Sequence, residues 1–180
     1  MSKKLAVYCG SRPGNSPGII EETKNLGKWI VSQGLELVYG GGSVGIMGVL
    51  ADAVLENNGK VTGVIPRFLD DKELGHQGIQ NLILVDSMHE RKLKMVEISD
   101  AFLILPGSIG TMDEFFEVLT WRQLGIHDKP IIIWNIEGYY DSLLNQLNQM
   151  VEKEFLDEKT FNKIETISDL GMFRHLFKQQ

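Results

Sequence analysis

Three stretches of the chain combine glycines with charged side chains in patterns that suit an anionic ligand. The first spans residues 106–114, PGSIGTMDE, directly after an apolar run. Gly107 and Gly110 permit a tight turn with free backbone N–H groups, and a helix N-terminus behind such a turn is a ready anion site. Thr111 is the expected N-cap, and Glu114 stands three residues on, as in a capping box. The stretch predicts a phosphate-binding turn, with Glu114 either a cap or a functional carboxylate.

The second stretch is SMHERK, residues 87–92. Ser87 and Glu90 also have capping-box spacing, so a helix should begin here. Arg91 and Lys92 follow close to the helix N-terminus, where the dipole disfavours cations, so an acid or a bound phosphate must offset their charge. A guanidinium suits either partner because its planar fork matches phosphate and carboxylate oxygens. The alternative interpretation is a surface ion pair.

The third stretch, YGGGSVG at residues 39–45, contains a G-x-G-x-x-G pattern in Gly40, Gly42 and Gly45. This pattern suggests a dinucleotide site, but the acidic residue expected about 20 positions on is absent. Arg67 stands at the end of the next strand instead and could serve the 2′-phosphate of NADP. Close packing of a helix on the sheet explains Gly45 and Gly48 equally well, so a dinucleotide is the weaker hypothesis.

Apolar strands alternate with helical stretches along the chain. Strands are predicted at residues 5–9, 35–39, 61–65, 82–85, 101–105, 131–134 and 163–167. Helices are predicted at residues 17–33, 46–57, 87–98, 140–152, from 111 and from 168, with an irregular loop at 67–78. This alternation predicts an α/β, Rossmann-like three-layer sandwich, with a mainly parallel sheet of six to seven strands and helices on both faces. Residues 1–180 are expected to form a single domain.

Every unusual loop follows a predicted strand. In a parallel sheet such loops meet at one edge, where ligands bind at the point at which the strand order reverses. Gly41, Ser87 and Gly107 should therefore share one rim. Several glycine- and serine-rich turns on that rim favour a nucleotide-sized anionic ligand.

Composition narrows the classes of partner. A net charge of −6 provides no basic stripe for nucleic acid, and no apolar run approaches a membrane span. The single cysteine, Cys9, excludes an internal disulfide framework and suits a reducing cytoplasm. His76, His89 and His127 are isolated in sequence, so no metal site is expected. The first residues lead straight into a strand, and no signal peptide is expected before it.

Taken together, YGGGSVGIMG, SMHERK, PGSIGTMDE and TWRQLGIHDKP resemble the LOG ("Lonely Guy") family. Members of that family are phosphoribohydrolases of cytokinin riboside 5′-monophosphates and AMP, which release the free base and ribose 5-phosphate. The resemblance implies a catalytic pair, Arg91 and Glu114, no cofactor and a homodimer. It implies that the substrate and its phosphate are bound by Gly41, Gly42, Met88, Lys92, Gly107, Ser108, Gly110 and Thr111. The family also carries the label "lysine decarboxylase", which no arrangement of the lysines supports.

One position departs from the family pattern PGGxGTxxE. Ser108 stands where the second glycine is expected, and serine is strained there if the position requires a positive φ. Its hydroxyl could instead donate to the phosphate. The departure leaves open a second class of function, a non-catalytic nucleotide or molybdenum-cofactor carrier of the same fold, although Arg91 and Glu114 favour the enzyme.

The helix that follows this turn is apolar nearly all round. Its apolar residues are Phe115, Phe116, Val118, Leu119, Trp121 and Leu124. Such a helix must be buried on two sides. One side covers the sheet, and the other either lies deep in the core or meets a second subunit; homodimers in the resembling family favour the second subunit.

Overall fold

The computed structural model describes residues 2–70 and 75–173. Its strands are β1 (Lys4–Tyr8), β2 (Glu36–Tyr39), β3 (Lys60–Pro66), β4 (Asn81–Val85), β5 (Ala101–Ile104), β6 (Ile131–Trp134) and β7 (Ile164–Ile167). Its helices are α1 (Pro17–Ser32), α2 (Gly45–Glu56), α3 (Arg67–Asp70), α4 (Met88–Ile98), α5 (Ile109–Gln123), α6 (Asp141–Glu152), α7 (Glu158–Phe161) and α8 (Leu170–Phe173), with one 3₁₀ turn at Ile136–Gly138.

The seven strands form one sheet in the order β4-β3-β2-β1-β5-β6-β7, and every neighbouring pair is parallel. The chain builds outward from β1 to β4, then returns to place β5 on the other side of β1. The order therefore reverses between β1 and β5, which is where parallel α/β sheets bind ligands. The predicted fold class, a Rossmann-like α/β sandwich, is confirmed.

Helices cover both faces of the sheet. On one face Leu26 of α1 and Leu50 of α2 belong to a core cluster that includes Leu103. On the other face Met95 of α4 and Phe115 of α5 pack in a second cluster. Successive residues of β5 alternate between the two clusters, and all are buried because both faces are covered.

The prediction that Thr111 caps its helix is wrong. Helix α5 begins at Ile109, and Ser108 is the N-cap, so Thr111 lies inside the first turn. Ser108 has the extended backbone of an N-cap (φ −111°, ψ −151°), although its side chain makes no capping hydrogen bond. Glu114 therefore lies in the second turn, one turn too far along to act as a capping-box partner.

The predicted irregular loop at residues 67–78 is partly wrong as well. Strand β3 runs on to include Pro66, and Arg67–Asp70 form one helical turn. Residues 71–74 of that loop lie outside the described residues. No helix within residues 2–70 and 75–173 has the length and apolar character needed to cross a bilayer.

Candidate active site

The site lies at the carboxyl edge of the sheet, around the reversal between β1 and β5. Because all seven strands are parallel, the loops after β1, β2, β4 and β5 meet at this edge. Gly41, Ser87 and Gly107 each follow a strand and so share the rim, as the sequence predicts.

An ion pair between Arg91 and Glu114 stands at the centre of this edge. Nη1 of Arg91 lies 2.8 Å from Oε1 of Glu114, and the two side chains are only 10% and 7% exposed. Nε of Arg91 donates to the Val64 carbonyl at 3.0 Å. Nη2 lies against Gly40, where any Cβ would overlap it. The guanidinium is therefore held on three sides, and it has little freedom to leave Glu114.

The start of α4 directs Arg91 inward. Ser87 is the N-cap, and its hydroxyl accepts from the Glu90 N–H at 3.1 Å. The Glu90 carboxylate turns back to accept from the Asp86 N–H at 2.9 Å, one residue before the usual partner of a capping box. The capped turn sets the helix phase that buries Arg91 and Lys92 while His89 and Glu90 stay exposed.

Glu114 is a buried carboxylate with a perturbed proton affinity. Burial raises its pKa above the ordinary value, and the positive charge and hydrogen bond of Arg91 offset part of that rise. A group whose pKa is raised by folding contributes stability below its unfolded pKa and loses that contribution as pH rises through the folded pKa. Holding Glu114 ionised at neutral pH therefore costs stability. Perturbed, desolvated carboxylates of this kind cluster at functional sites.

Arg91 and Glu114 line a cavity of about 280 Å³. The other residues around it are Cys9, Ser11, Gly40, Gly42, Val44, Met47, Ile65, Leu69, Ser108, Gly110 and Thr111. One part of the lining is an apolar wall, and another part is the turn that opens α5. The cavity thus joins a charged pair, an apolar surface and a helix N-terminus.

The turn before α5 presents free backbone donors. The Pro106 carbonyl accepts from the Gly10 N–H at 3.1 Å, and the Gly107 carbonyl accepts from the Tyr139 hydroxyl at 2.5 Å. Since a trans peptide points its N–H opposite to its carbonyl, these bonds turn the N–H groups of Gly107 and Ser108 away from Gly10 and Tyr139. Neither N–H group has a partner in the part of the chain that the structure describes. With the helix dipole behind them, they suit a phosphate.

Glycine is required at position 107 by close packing. A Cβ there would overlap the Thr111 hydroxyl, so the absence of a side chain lets Thr111 sit against the turn. Ser108, by contrast, has a negative φ of −111°, so the strain expected of serine at this position does not arise. The Ser108 residue is exposed, and its hydroxyl bonds to no described residue, which leaves it able to donate to an anion.

Four of the sequence-predicted site residues do not line this cavity: Gly107, which precedes Ser108 and lines a neighbouring cavity, and Gly41, Met88 and Lys92. Gly41 (φ +77°) packs against Ile65, and Met88 lies half-buried at the start of α4. Nζ of Lys92 lies 3.0 Å from Asp113 and 3.1 Å from Glu117, both on α5. Lys92 thus ties α4 to α5 and holds the helices that carry Arg91 and Glu114.

The structure also adds residues to the site that sequence reasoning missed. Gly40, Met47 and Ser11 lie in or beside the glycine-rich loops, and that position was their only signal. Val44, Ile65 and Leu69 supply the apolar wall. Cys9 lines the cavity too, and burial raises the pKa of its thiol, which therefore stays protonated and is no nucleophile.

Gly45 of the G-x-G-x-x-G pattern, and Gly48 just beyond it, serve packing. A Cβ on Gly45 would overlap the backbone of Ser11, and one on Gly48 would overlap that of Ser43. Arg67, the residue considered for a 2′-phosphate, forms an exposed ion pair with Asp86. Within residues 2–70 and 75–173, no three His, Cys, Asp or Glu side chains stand together as metal ligands would.

Comparison with known proteins identifies relatives of this chain. A family described as "Possible lysine decarboxylase" matches residues 47–172. The chain is 45% identical over 154 residues to the cytokinin riboside 5′-monophosphate phosphoribohydrolase LOG1 of Arabidopsis thaliana, covering 86% of this chain and 72% of the relative. It is 46% identical over 153 residues to the probable enzyme of the same name, LOGL1, of Oryza sativa subsp. japonica, covering 85% and 69%.

The fold also occurs in more distant proteins. The molybdenum cofactor binding protein of Rippkaea orientalis superposes with a TM-score of 0.74, covering 99% of this chain and 96% of that one, at 20% sequence identity. Identity this low establishes a common fold and leaves function to be argued from the site.

The buried pair yields a prediction about stability. Replacing Arg91 with Met leaves the Glu114 carboxylate buried without its partner, so the free energy of unfolding at pH 7 should fall by about 3 kcal/mol or more. Arg67→Met removes the same group from an exposed pair, and should cost less than about 1 kcal/mol. Urea unfolding of both variants measures the difference.

The pH dependence gives an internal check on this prediction. Without Arg91 the pKa of Glu114 rises further. The loss in the free energy of unfolding of Arg91→Met should therefore be largest at pH values at which Glu114 of the wild-type protein is ionised. The deficit of Arg91→Met should shrink as pH falls, because Glu114 is then protonated in both proteins. A deficit equal to that of Arg67→Met, or one independent of pH, would contradict the account of the pair.

Proposed function

The chain belongs to the LOG family, whose members named above are phosphoribohydrolases, and on this basis we propose that it hydrolyses the N-glycosidic bond of AMP or of N6-substituted adenosine 5′-monophosphates. The products are the free base and ribose 5-phosphate. The observation that carries the proposal is the buried Arg91–Glu114 pair beside the free N–H groups of Gly107 and Ser108. One cavity thus offers a carboxylate for the sugar, and the turn proposed to hold its phosphate reaches that cavity through Ser108.

Cleavage of an N-glycosidic bond builds positive charge on the sugar ring. The bond from C1′ to the base breaks with its electron pair on the base, which takes up a proton, while the oxygen of water bonds to C1′. Glu114 stabilises the developing cation and accepts the proton that water loses. Burial raises the pKa of Glu114, and the charge and hydrogen bond of Arg91 act in the opposite direction and favour the carboxylate form.

The phosphate of the substrate positions the reacting sugar. Bound to the N–H groups of Gly107 and Ser108, with the hydroxyls of Ser108 and Thr111 beside it, it fixes one end of the nucleotide. Binding energy from this non-reacting group is then available to orient C1′ against Glu114. Gly42 and Gly110 let the backbone approach the ligand closely. The base is assigned to the apolar wall that includes Met47 and Ile65.

Neither alternative function is favoured. The structural likeness to a molybdenum cofactor binding protein comes at 20% identity, whereas the phosphoribohydrolases are related at 45–46% over most of the chain. A carrier also has no need of a buried carboxylate that costs stability. Lysine decarboxylation gains no support from the site, because Lys92, the lysine beside Arg91, is bonded to two acids on α5.

The proposal includes a cytoplasmic homodimer that packs through α5. The inner side of this helix is buried through Phe115, Val118 and Leu119, as predicted for the side that covers the sheet. Its outer side keeps Phe116 exposed, and Leu124 follows at its end. Exposed apolar side chains along one helix favour a protein interface.

The catalytic assignment predicts the effect of Glu114→Gln, which removes the charge and keeps the shape. Adenine release at saturating AMP should fall by roughly 100-fold or more, the usual scale for a positioned acid or base, while AMP affinity changes little. Glu117→Gln is the matched control, because Glu117 lies one turn further along α5, pairs with Lys92 and does not line the cavity. Near-normal release by a folded Glu114→Gln protein would remove Glu114 from the mechanism.

If the protein is a homodimer, its mass in solution should be twice that of one chain. Light scattering at micromolar concentration should give twice the chain mass of 20.3 kDa. Leu124→Glu places a charge in the proposed interface and should shift the protein toward the monomer, whereas Leu93→Glu on α4 tests whether the interface extends beyond α5. A wild-type monomer at these concentrations would contradict the proposal.

A further inference from the structure

A second cavity lies on the other side of Ser108, and the proposed reaction does not use it. It measures about 340 Å³ and is formed by the loops after β1, β5 and β6. Its polar residues include Arg12, Asn15, Ser16 and Glu137. Ser108 lines both cavities, so the turn proposed to hold the substrate phosphate is the wall between them.

The N-terminus of helix α1 borders this second cavity. The helix begins at Pro17, and the hydroxyl of its N-cap, Ser16, accepts from the Ile19 N–H at 3.3 Å. A helix that starts behind the first strand, beside the reversal in strand order, is the usual phosphate site of a Rossmann-like sheet. Two helix N-termini, those of α1 and α5, therefore flank Ser108, an arrangement that suits a ligand with two phosphates.

The α1 terminus is already occupied by an acid of the protein itself. The Ser16 hydroxyl lies 2.9 and 2.8 Å from the two carboxylate oxygens of Glu137. The carboxylate sits so close to the first turn of α1 that a Cβ on Gly18 would overlap Oε1. A carboxylate at a helix N-terminus is stabilised by the dipole and takes the place that a phosphate would fill.

The turn after β6 holds Glu137 in this place at a conformational cost. Its backbone is left-handed (φ 53°, ψ 25°), a region that residues other than glycine rarely adopt. The ion pairs of the described chain include none to Glu137, and Arg12, which lines the same cavity, is not paired with it. The group at the helix terminus itself is therefore the Glu137 carboxylate, with no salt bridge to it.

We propose that Glu137 determines specificity by restricting the enzyme to nucleoside monophosphates. A sugar phosphate bound to the N–H groups of Gly107 and Ser108 directs C1′ toward Glu114 in the first cavity. A further phosphate leaves the first on the side opposite the sugar, past Ser108 and into the second cavity. There it meets the carboxylate of Glu137 instead of a free helix terminus. This inference rests on the proposed function for the direction of the substrate.

The decisive variant is Glu137→Gln, which keeps the hydrogen bond to Ser16 and removes the charge. Binding of inorganic phosphate and inorganic pyrophosphate is measured by calorimetry, and hydrolysis of AMP and ADP by release of adenine. The control, Glu21→Gln, removes the same charge from an exposed position on α1. Melting temperatures of both variants verify that they are folded.

Wild-type protein and Glu21→Gln should bind pyrophosphate no more tightly than phosphate and should hydrolyse ADP poorly. Glu137→Gln should gain about tenfold or more in pyrophosphate affinity, with phosphate affinity changed less than about twofold, since removing one unpaired charge acts mainly on the second phosphate. The ratio of kcat/KM for ADP to that for AMP should rise by about the same factor.

The inference is overturned if the ratio of pyrophosphate to phosphate affinity is the same in Glu137→Gln as in wild-type protein. It is also overturned if the wild-type protein already prefers pyrophosphate. The two proposals fail separately. If AMP releases no adenine but Glu137→Gln still binds pyrophosphate more tightly as predicted, the hydrolase activity is rejected. The role of Glu137 then stands, because anion binding needs no turnover.

Discussion

The site depends on keeping a guanidinium and a carboxylate together with little water around them. Removing two charges from water costs several kcal/mol per ion, and their attraction offsets this only where the geometry is good and the remaining donors are satisfied. Here the Val64 carbonyl accepts a hydrogen bond from Nε of Arg91, and the missing side chain of Gly40 leaves room for Nη2. Because buried pairs in general add little net stability, this one is better understood as functional geometry than as a support of the fold.

The topology explains how two distant segments supply this pair. Arg91 belongs to the helix after β4, which is an edge strand, whereas Glu114 belongs to the helix after β5, near the centre of the sheet. Helix α4 reaches inward over β3 and β1, and its side chains share a core cluster with those of α5. Lys92 then fixes the spacing of the two helices through Asp113 and Glu117. The reversal of strand order thus places the Arg91–Glu114 pair, the proposed phosphate-binding turn and the cavity at one edge of the sheet.

Much of this arrangement could be predicted from local sequence signals. Apolar runs marked all seven strands, and the capping box at Ser87 marked the start of α4, because these features depend on residues close in the chain. The start of α5 could not be assigned in the same way, since Ser108 and Thr111 are both plausible caps and tertiary packing decides between them. No local signal links Tyr139 to Gly107, 32 positions apart, or Glu137 to Ser16, 121 positions apart. Contacts of that kind follow only from the strand order.

A crystal structure of the protein with ribose 5-phosphate would locate both halves of the proposed site, because this product carries both the phosphate and the reacting carbon. The phosphate should lie on the N–H groups of Gly107 and Ser108, with the C1 hydroxyl within about 3 Å of the Glu114 carboxylate. Arg91 should remain paired with Glu114. A phosphate bound at Ser16 in the second cavity, or a sugar turned away from Glu114, would refute the roles assigned to Ser108 and Glu114.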